Sequence, residues 1–328
     1  MDGLLVIDKP AGLTSHDVVA RVRRMLRQRS VGHTGTLDPA ATGVLPLVLG
    51  RATRLARFLS ASDKAYEAVV RLGFATDTGD ASGMRIGDAS RYVGAETCPR
   101  ETCPRPSRDA IEHALEAFRG TYLQQPPAFS AKKIGGKRSH ALARDRKGSD
   151  PVQVAAVLPS PVTVSVHRLE IVEIEADRVM LHVECSAGFY VRSLAHDLGV
   201  RLGTGAHLAA LRRERSGDYA LADAIRLETA ECDAERAARH VIPLARMLPG
   251  LPVVTLTSDG VRRATHGRDL GPGDLEPGSG TSVRSAAESP SPHPQSPGFV
   301  RLLAPDGNMI GIATTTASGV LHPSVVLV

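Results

Sequence analysis

A single carboxylate in this 328-residue chain sits where an acid could act on a substrate. Asp38 lies in Val31-Gly32-His33-Thr34-Gly35-Thr36-Leu37-Asp38-Pro39-Ala40-Ala41-Thr42-Gly43. Three glycines, a proline and three threonines make this run a poor helix or central strand and a good tight loop. From Arg21 to Arg57 there are eight arginines, and Asp38 is the lone acid among them. Nearby guanidinium groups favour the charged carboxylate. The residue therefore reads as a standing anion in a basic surface, available as a nucleophile or an electrostatic stabiliser. The competing reading is a plain turn, because Asp before Pro often starts one.

The elements that must hold such a loop follow from local pattern. Leu4 to Ile7 is a short apolar run, read as a strand that ends at Asp8-Lys9-Pro10-Ala11-Gly12. Thr14 and Asp17 form a capping box for a helix to about Gln28, with Val18, Val22, Met25 and Leu26 on its apolar face. Arg51 to Leu59 predicts a second helix that buries Leu55, Phe58 and Leu59. Lys64 to Gly73 alternates as a strand, with Tyr66, Ala68, Val70 and Leu72 on one face.

Further on, Ser107 to Arg119 predicts a helix stopped by Gly120, with Ile111, Leu115 and Phe118 inward. Pro161–Glu175 and Arg178–Cys185 alternate as a β-hairpin. Gly188-Phe189-Tyr190-Val191-Arg192-Ser193-Leu194-Ala195-His196-Asp197-Leu198-Gly199 places Val191, Leu194 and Leu198 at helical spacing. His196 and Asp197 are neighbours on that helix and point in different directions, so they make no catalytic pair.

Composition narrows the class. The chain is long enough for two domains, and 42% hydrophobic residues can fill sizeable cores. Aromatics are only 3% with no Trp, so the cores must be aliphatic and each Tyr and Phe matters individually. The net charge of +5 is mild, but the positive residues cluster, as expected for a phosphate-rich partner. The four cysteines form no metal array, and Cys98 and Cys103 read as linker sequence. Asp77 to Gly83 lacks the ligand set of a calcium loop. No apolar run is long enough to span a bilayer and no signal sequence is visible, so a cytoplasmic chain is expected.

The run from Gly32 to Pro46 closely resembles the signature loop of the TruB family, the tRNA pseudouridine-55 synthases. Lys9-Pro10, the Pro-Pro-Ala-Phe-Ser-Ala-Lys-Lys stretch ending at Lys133, and the Gly188–Gly199 run match further motifs of that family. The resemblance covers most of residues 3 to 215. It implies isomerisation of one uridine in the tRNA T-loop, after that base is flipped from its stack, with no cofactor and no metal.

Under the resemblance Asp38 is the catalytic residue, Tyr66 lies against the target base, and Arg192 pairs with Asp38. Tyr190 and Leu211 shape the pocket, and His33 fills the space that the flipped base leaves. The plain readings are a core Tyr66, Tyr190 and Leu211, a surface Arg192, a loop-bonding His33 and a solvated turn residue at Lys9. Residues 126–148 hold seven Lys or Arg, among them Lys132, Lys133 and Arg138, and one acid. Composition alone makes this run a solvated face; the resemblance makes it a basic loop that closes over RNA.

The expected fold is α+β: a pseudouridine-synthase-type mixed, largely antiparallel sheet flanked by helices, with a small C-terminal β-barrel. Residues 1–248 form the expected catalytic domain, with an insertion at about 84–106 and the basic loop at 126–148. Residues 249–328 resemble a PUA domain, a small RNA-binding barrel, interrupted at about 273–298 by a disordered Ser-, Pro- and Gly-rich insertion. The expected partner is the T-stem-loop of tRNA, with no membrane, no obligate protein partner and a monomeric chain.

Two rivals are open. A non-catalytic tRNA-binding folding factor needs only the basic surfaces, and does not call for a carboxylate amid arginines. A glycosidase would need a second acid near Asp38, and none is evident.

Overall fold

The computed structural model describes residues 1–86, 105–128, 158–278, 298–316 and 319–327, and the backbone alone at 133–134 and 137–138. Most of the 84–106 insertion, Lys132 with most of the basic loop, and residues 279–297 lie outside the described residues. Within the loop, a two-residue ladder pairs Lys133 with Arg138 and Ile134 with Lys137. The chain divides into two compact units, Met1–Ser62 with Arg215–Val328, and Asp63–Glu214.

The first unit is built on strand Gly3–Lys9, in which Leu4, Leu5, Val6 and Ile7 are all at most 1% exposed. Burial on both faces explains an unbroken apolar run where a half-exposed strand would alternate. Along one edge this strand pairs antiparallel with Thr42–Leu49 through its whole length. It also pairs parallel with Ile225–Arg226 and antiparallel with Ile242–Pro243.

The helix Ser15–Met25 starts at the Thr14–Asp17 capping box that the sequence predicts. It buries Val18, Val19 and Val22, each such side chain contributing about 1.5–3 kcal/mol. It stops short of Gln28, and Arg27 takes a left-handed φ of 48° as the chain turns back. The predicted helix at 51–59 forms as a 3₁₀ segment, Gly50–Leu55, running into one α-helical turn, Ala56–Ser60.

Two departures concern the signature run. Its ends are strands: Val31–His33 pairs with Leu47–Leu49, and Thr42 opens the strand to Leu49. Pro46 sits inside that strand, where it lacks a donor but its carbonyl accepts the Thr34 N–H at 3.1 Å. The tight loop is therefore 34–41 alone.

The C-terminal part is a four-stranded sheet in the order Val253–Thr255, Phe299–Leu303, Met309–Thr315, Leu321–Val326. It is open, which corrects the expected closed barrel. The outer strands are not paired to each other among the described residues, and the chain between them forms the helix Ser258–Thr265 and single bridges at Leu256–Leu275 and Leu270–Leu321. Buried Arg301 ties this sheet to the preceding segment, donating to the carbonyls of Ala245, Met247 and Leu251. Met309, Ile312 and Leu327 share a core with Leu4, Val6, Val44 and Val48, so within this unit the tail packs on the first strands.

The second unit orders its strands as Ala206–Ser216, Lys64–Leu72, Arg178–Cys185, Val162–Glu175 and Gly120–Gln124. The ladders from Lys64–Leu72 outward to Gly120–Gln124 are antiparallel. The hairpin between 162 and 185 turns at Ala176, φ 52°, and Asp177, whose carboxylate pairs with Arg71 at 2.8 Å. Helices Arg108–Glu116 and Val191–Arg201 cover the sheet, and their Ile111, Leu115, Leu194 and Leu198 join Ala68, Val70, Leu181 and Val183 in one aliphatic core. The α+β class and largely antiparallel sheet are thus as the sequence predicts.

Candidate active site

Asp38 is half-buried, and the main chain on either side of it is pinned. Before it, Leu37 donates its N–H to Ser15 Oγ at 2.9 Å, and the same hydroxyl donates back to the Leu37 carbonyl at 3.1 Å. After it, the Pro39 carbonyl accepts from Gly12 N–H at 2.8 Å and from Lys9 Nζ at 3.2 Å. Lys9 Nζ also donates to the carbonyls of Ala41 at 2.7 Å and Pro10 at 2.8 Å. Asp38 does begin a turn, since its carbonyl accepts the Ala41 N–H at 3.1 Å. The turn uses the backbone oxygen, so the turn reading and a chemical role for the carboxylate are compatible.

Lys9 has no exposed surface, which overturns the reading of a solvated turn residue. Its ammonium ends the first strand beneath the loop and is a strut for the residues around Asp38. Ser15 is a residue the sequence reading missed. Its only sequence signal is a hydroxyl directly after the capping Thr14, whereas its partner Leu37 lies 22 positions on.

His33 closes the short strand Val31–His33 and meets His16 edge-on, with ring centroids 5.1 Å apart. The arginines counted around Asp38 disperse. Arg21 pairs with Glu231 at 3.3 Å and Arg51 with Asp2 at 2.8 Å, so two of the eight answer carboxylates remote in sequence.

The other candidates belong to the second unit. Tyr66 lies in mid-strand, 8% exposed, and joins the aliphatic core with Leu208 and Val191, with Leu211 packed at its margin. Tyr190 is the N-cap residue of the helix Val191–Arg201, and Arg192 stands in its first turn. Arg192 is buried, contrary to the surface reading, and donates to the Thr78 carbonyl at 3.1 Å. The structure thus brings Tyr66 and Leu211 into one cluster, and Tyr190 and Arg192 onto one helix end. Lys133 and Arg138 are placed by backbone alone, and Lys132 lies outside the described residues.

Gln124, fully buried, fixes this helix end. Its side-chain amide pairs with Tyr190 as a peptide would: Tyr190 N–H donates to Oε1 at 2.8 Å, and Nε2 donates to the Tyr190 carbonyl at 3.1 Å. Ser193 Oγ adds a bond to the Gln125 carbonyl at 2.7 Å. The stretch that enters the basic loop is thereby locked to the residues around Tyr190 and Arg192. Gln124→Ala removes both bonds to the half-buried Tyr190 backbone, whose carbonyl keeps the Leu194 N–H, and is expected to cost about 2 kcal/mol. Thermal melting should show that loss, and steady-state kinetics on RNA should show a lowered kcat; unchanged melting and kinetics would remove Gln124 from the site's support.

Burial also defines the electrostatics here. Lys64, two residues before Tyr66 on the same strand face, is 6% exposed, and Arg213 is 1% exposed. Burial first, then the nearby Arg213 charge, pulls Lys64 from its ordinary 10.5 down to about 8. Between these two values the unfolded chain holds more protons than the folded one, so stability rises with pH across that window. The burial penalty is fully present below about pH 8. Relative to Lys64→Met, the wild-type chain should gain about 3 kcal/mol from pH 8 to 10.5. Paired melting curves at the two pH values test this, and parallel behaviour of both proteins would contradict it.

Known proteins resolve what family this arrangement belongs to. The model described as "TruB family pseudouridylate synthase (N terminal domain)" matches residues 23–191, and "tRNA pseudouridylate synthase B C-terminal domain" matches 192–249. The chain belongs to the TruB family. A tRNA pseudouridine synthase B of Solibacter usitatus is 40% identical, covering 100% of both chains. That of Pseudomonas aeruginosa is 37% identical over 98% of this chain and 95% of its own. Among solved structures, a Cbf5-Nop10-Gar1 complex includes a chain matching 99% of this one and 85% of that chain, with TM-score 0.68 and 25% identity. The TruB resemblance read from the signature loop is therefore correct, and the chain is a pseudouridine synthase by family. Among the described residues no helix is long and apolar enough to cross a membrane.

Proposed function

We propose that this chain converts uridine 55 in the T-loop of tRNA to pseudouridine, with Asp38 as the initiating carboxylate. The observation that carries the reading is the pinned loop. Leu37 and Pro39 are held on both sides of a half-buried acid, in a chain 40% identical along its whole length to a tRNA pseudouridine synthase B. Such anchoring suits a group that must meet a flipped nucleotide with little reorganisation.

The reaction is balanced within one nucleotide. The bond from N1 to C1′ breaks, C5 joins C1′, the C5 hydrogen leaves as a proton and N1 takes one up. Asp38 begins this at the sugar or the base, with Arg192 as a further catalytic residue and Tyr66 stacked on the base. Tyr190 and Leu211 shape the pocket, and His33 occupies the vacated stack. Lys132, Lys133 and Arg138 contact phosphates from the basic loop, and residues 249–328 add an RNA-binding surface. The chain acts as a monomer without an obligate protein partner.

Tritium release from a T-stem-loop RNA labelled at uridine C5 tests the reading. Release that disappears when the target uridine is replaced by cytidine, the label being kept at the other uridines, is the expected result. Tight binding with no release would favour the non-catalytic folding factor. Release from other uridines would keep the synthase and remove the assigned position.

A further inference from the structure

We propose that the C-terminal end of helix Ser15–Met25 is a second phosphate-binding surface, which grips a part of the RNA away from the target loop. The proposal rests on the tRNA reading above and adds a contact region to it. Arg23, Arg24, Arg27 and Arg29 line a shallow basin of about 520 Å³, completed by Ala20 and Gln28, and no carboxylate lines it. All four arginines are exposed. Arg23 is held in place by its bond to the Val31 carbonyl. The left-handed turn at Arg27, φ 48°, brings Arg27 and Arg29 back beside Arg23 and Arg24.

A helix C-terminus does attract cations, but its partial charge is only about half an electron. Four guanidinium groups exceed that several-fold, so the basin keeps a strong positive field for an anionic partner. Guanidinium groups grouped at this density match phosphate oxygens well, through paired N–H donors.

The helix itself sets the distance. Its first residue, Ser15, touches Leu37 in the loop of Asp38. Arg24 lies nine residues on, about 14 Å along the axis at 1.5 Å per residue. A nucleic-acid duplex carries roughly one charge per 1.7 Å of its axis, so the basin is several phosphates removed from a nucleotide held at Asp38. It therefore lies outside the reach of the reacting loop itself, and the proposal assigns it to RNA beyond the target arm.

The test compares full-length tRNA with the isolated T-stem-loop, using the wild-type chain and the variant Arg24→Gln, Arg27→Asn, Arg29→Gln. Asn suits the left-handed position, and Arg23 is retained because it bonds the backbone. For the variant, affinity for full-length tRNA should fall about tenfold or more at low salt. The slope of log affinity against log salt should shrink by about 2 to 3, for three lost phosphate contacts. Affinity and single-turnover rate on the stem-loop should stay within about twofold, since no phosphate contact to it is lost. Equal weakening on both RNAs would place the basin on the target arm and overturn the proposal. No change on either would show that RNA does not occupy it. Wild-type activity on the stem-loop is measured first, so failure of the tRNA reading is seen separately.

Discussion

Asp38→Asn is expected to lower the single-turnover rate at least ~10³-fold, the order lost when a nucleophile or acid–base group is removed. The fold should not change. The turn at 38–41 uses the Asp38 carbonyl, which Asn retains, and the flanking residues are held by Ser15, Gly12 and Lys9. Melting should fall by no more than about 1.5 kcal/mol, because Asn keeps the size of the side chain and one acceptor oxygen. RNA affinity should change little, because one neutralised acid removes, if anything, a repulsion with phosphate. Saturating-enzyme turnover, melting and filter binding on the same preparations separate these effects. A variant that lost affinity or stability and kept its turnover rate would show that the carboxylate serves architecture and not chemistry.

Lys9→Met is expected to harm both stability and turnover, by a different route. Met matches the length of the lysine stem but donates nothing to Pro10, Pro39 and Ala41. Bonds from a charged donor contribute about 1.5–3 kcal/mol each, and Pro39 keeps its second donor from Gly12. The combined loss should be at least about 3 kcal/mol, a melting decrease of about 6–10 °C. With the protein held well below its melting point, kcat should still fall about tenfold or more, since a loosened loop misplaces Asp38. The KM for RNA should move less, because the basic surfaces are intact. A melting decrease with unchanged kcat would make Lys9 a purely structural strut.

Much of this was written in local pattern. The capping box at Thr14 and Asp17, the alternation of Lys64–Leu72 and the hairpin from 162 to 185 each depend on neighbours in sequence, and each formed as read. The signature run carried the family, and its glycines and prolines hid two strands. Pairing with Gly3–Lys9 overrode the low strand propensity of Pro46 and Gly43, because that strand offers a full-length apolar edge.

Burial of charge was not legible. Lys9, Lys64, Arg192 and Arg213 look like surface residues in any count of composition, yet each is enclosed. What encloses them is contact between distant segments, as when Lys9 Nζ bonds Ala41, 32 positions away. The arginines near Asp38 misled for the same reason, since Glu231 lies 210 positions from Arg21. Gln124 had only a neighbouring Gln and two prolines to mark it, whereas its role depends on Tyr190, 66 residues on.

The order of the two units along the chain bears on synthesis. Residues 63–214 are continuous and can close their core as soon as they emerge, but the unit that holds Asp38 takes its pieces from both ends. Strand Gly3–Lys9 finds Thr42–Leu49 early, while its partners at Ile225–Arg226 and Ile242–Pro243 come roughly 200 residues later. At about 5–20 residues per second, one edge of that strand waits for about 10–40 s with its hydrogen-bonding groups open. A nascent chain stalled in this interval would present an apolar, unpaired strand edge. The strand that carries Lys9 to the loop of Asp38 is thus flanked on both edges only after residues 225–243 are made.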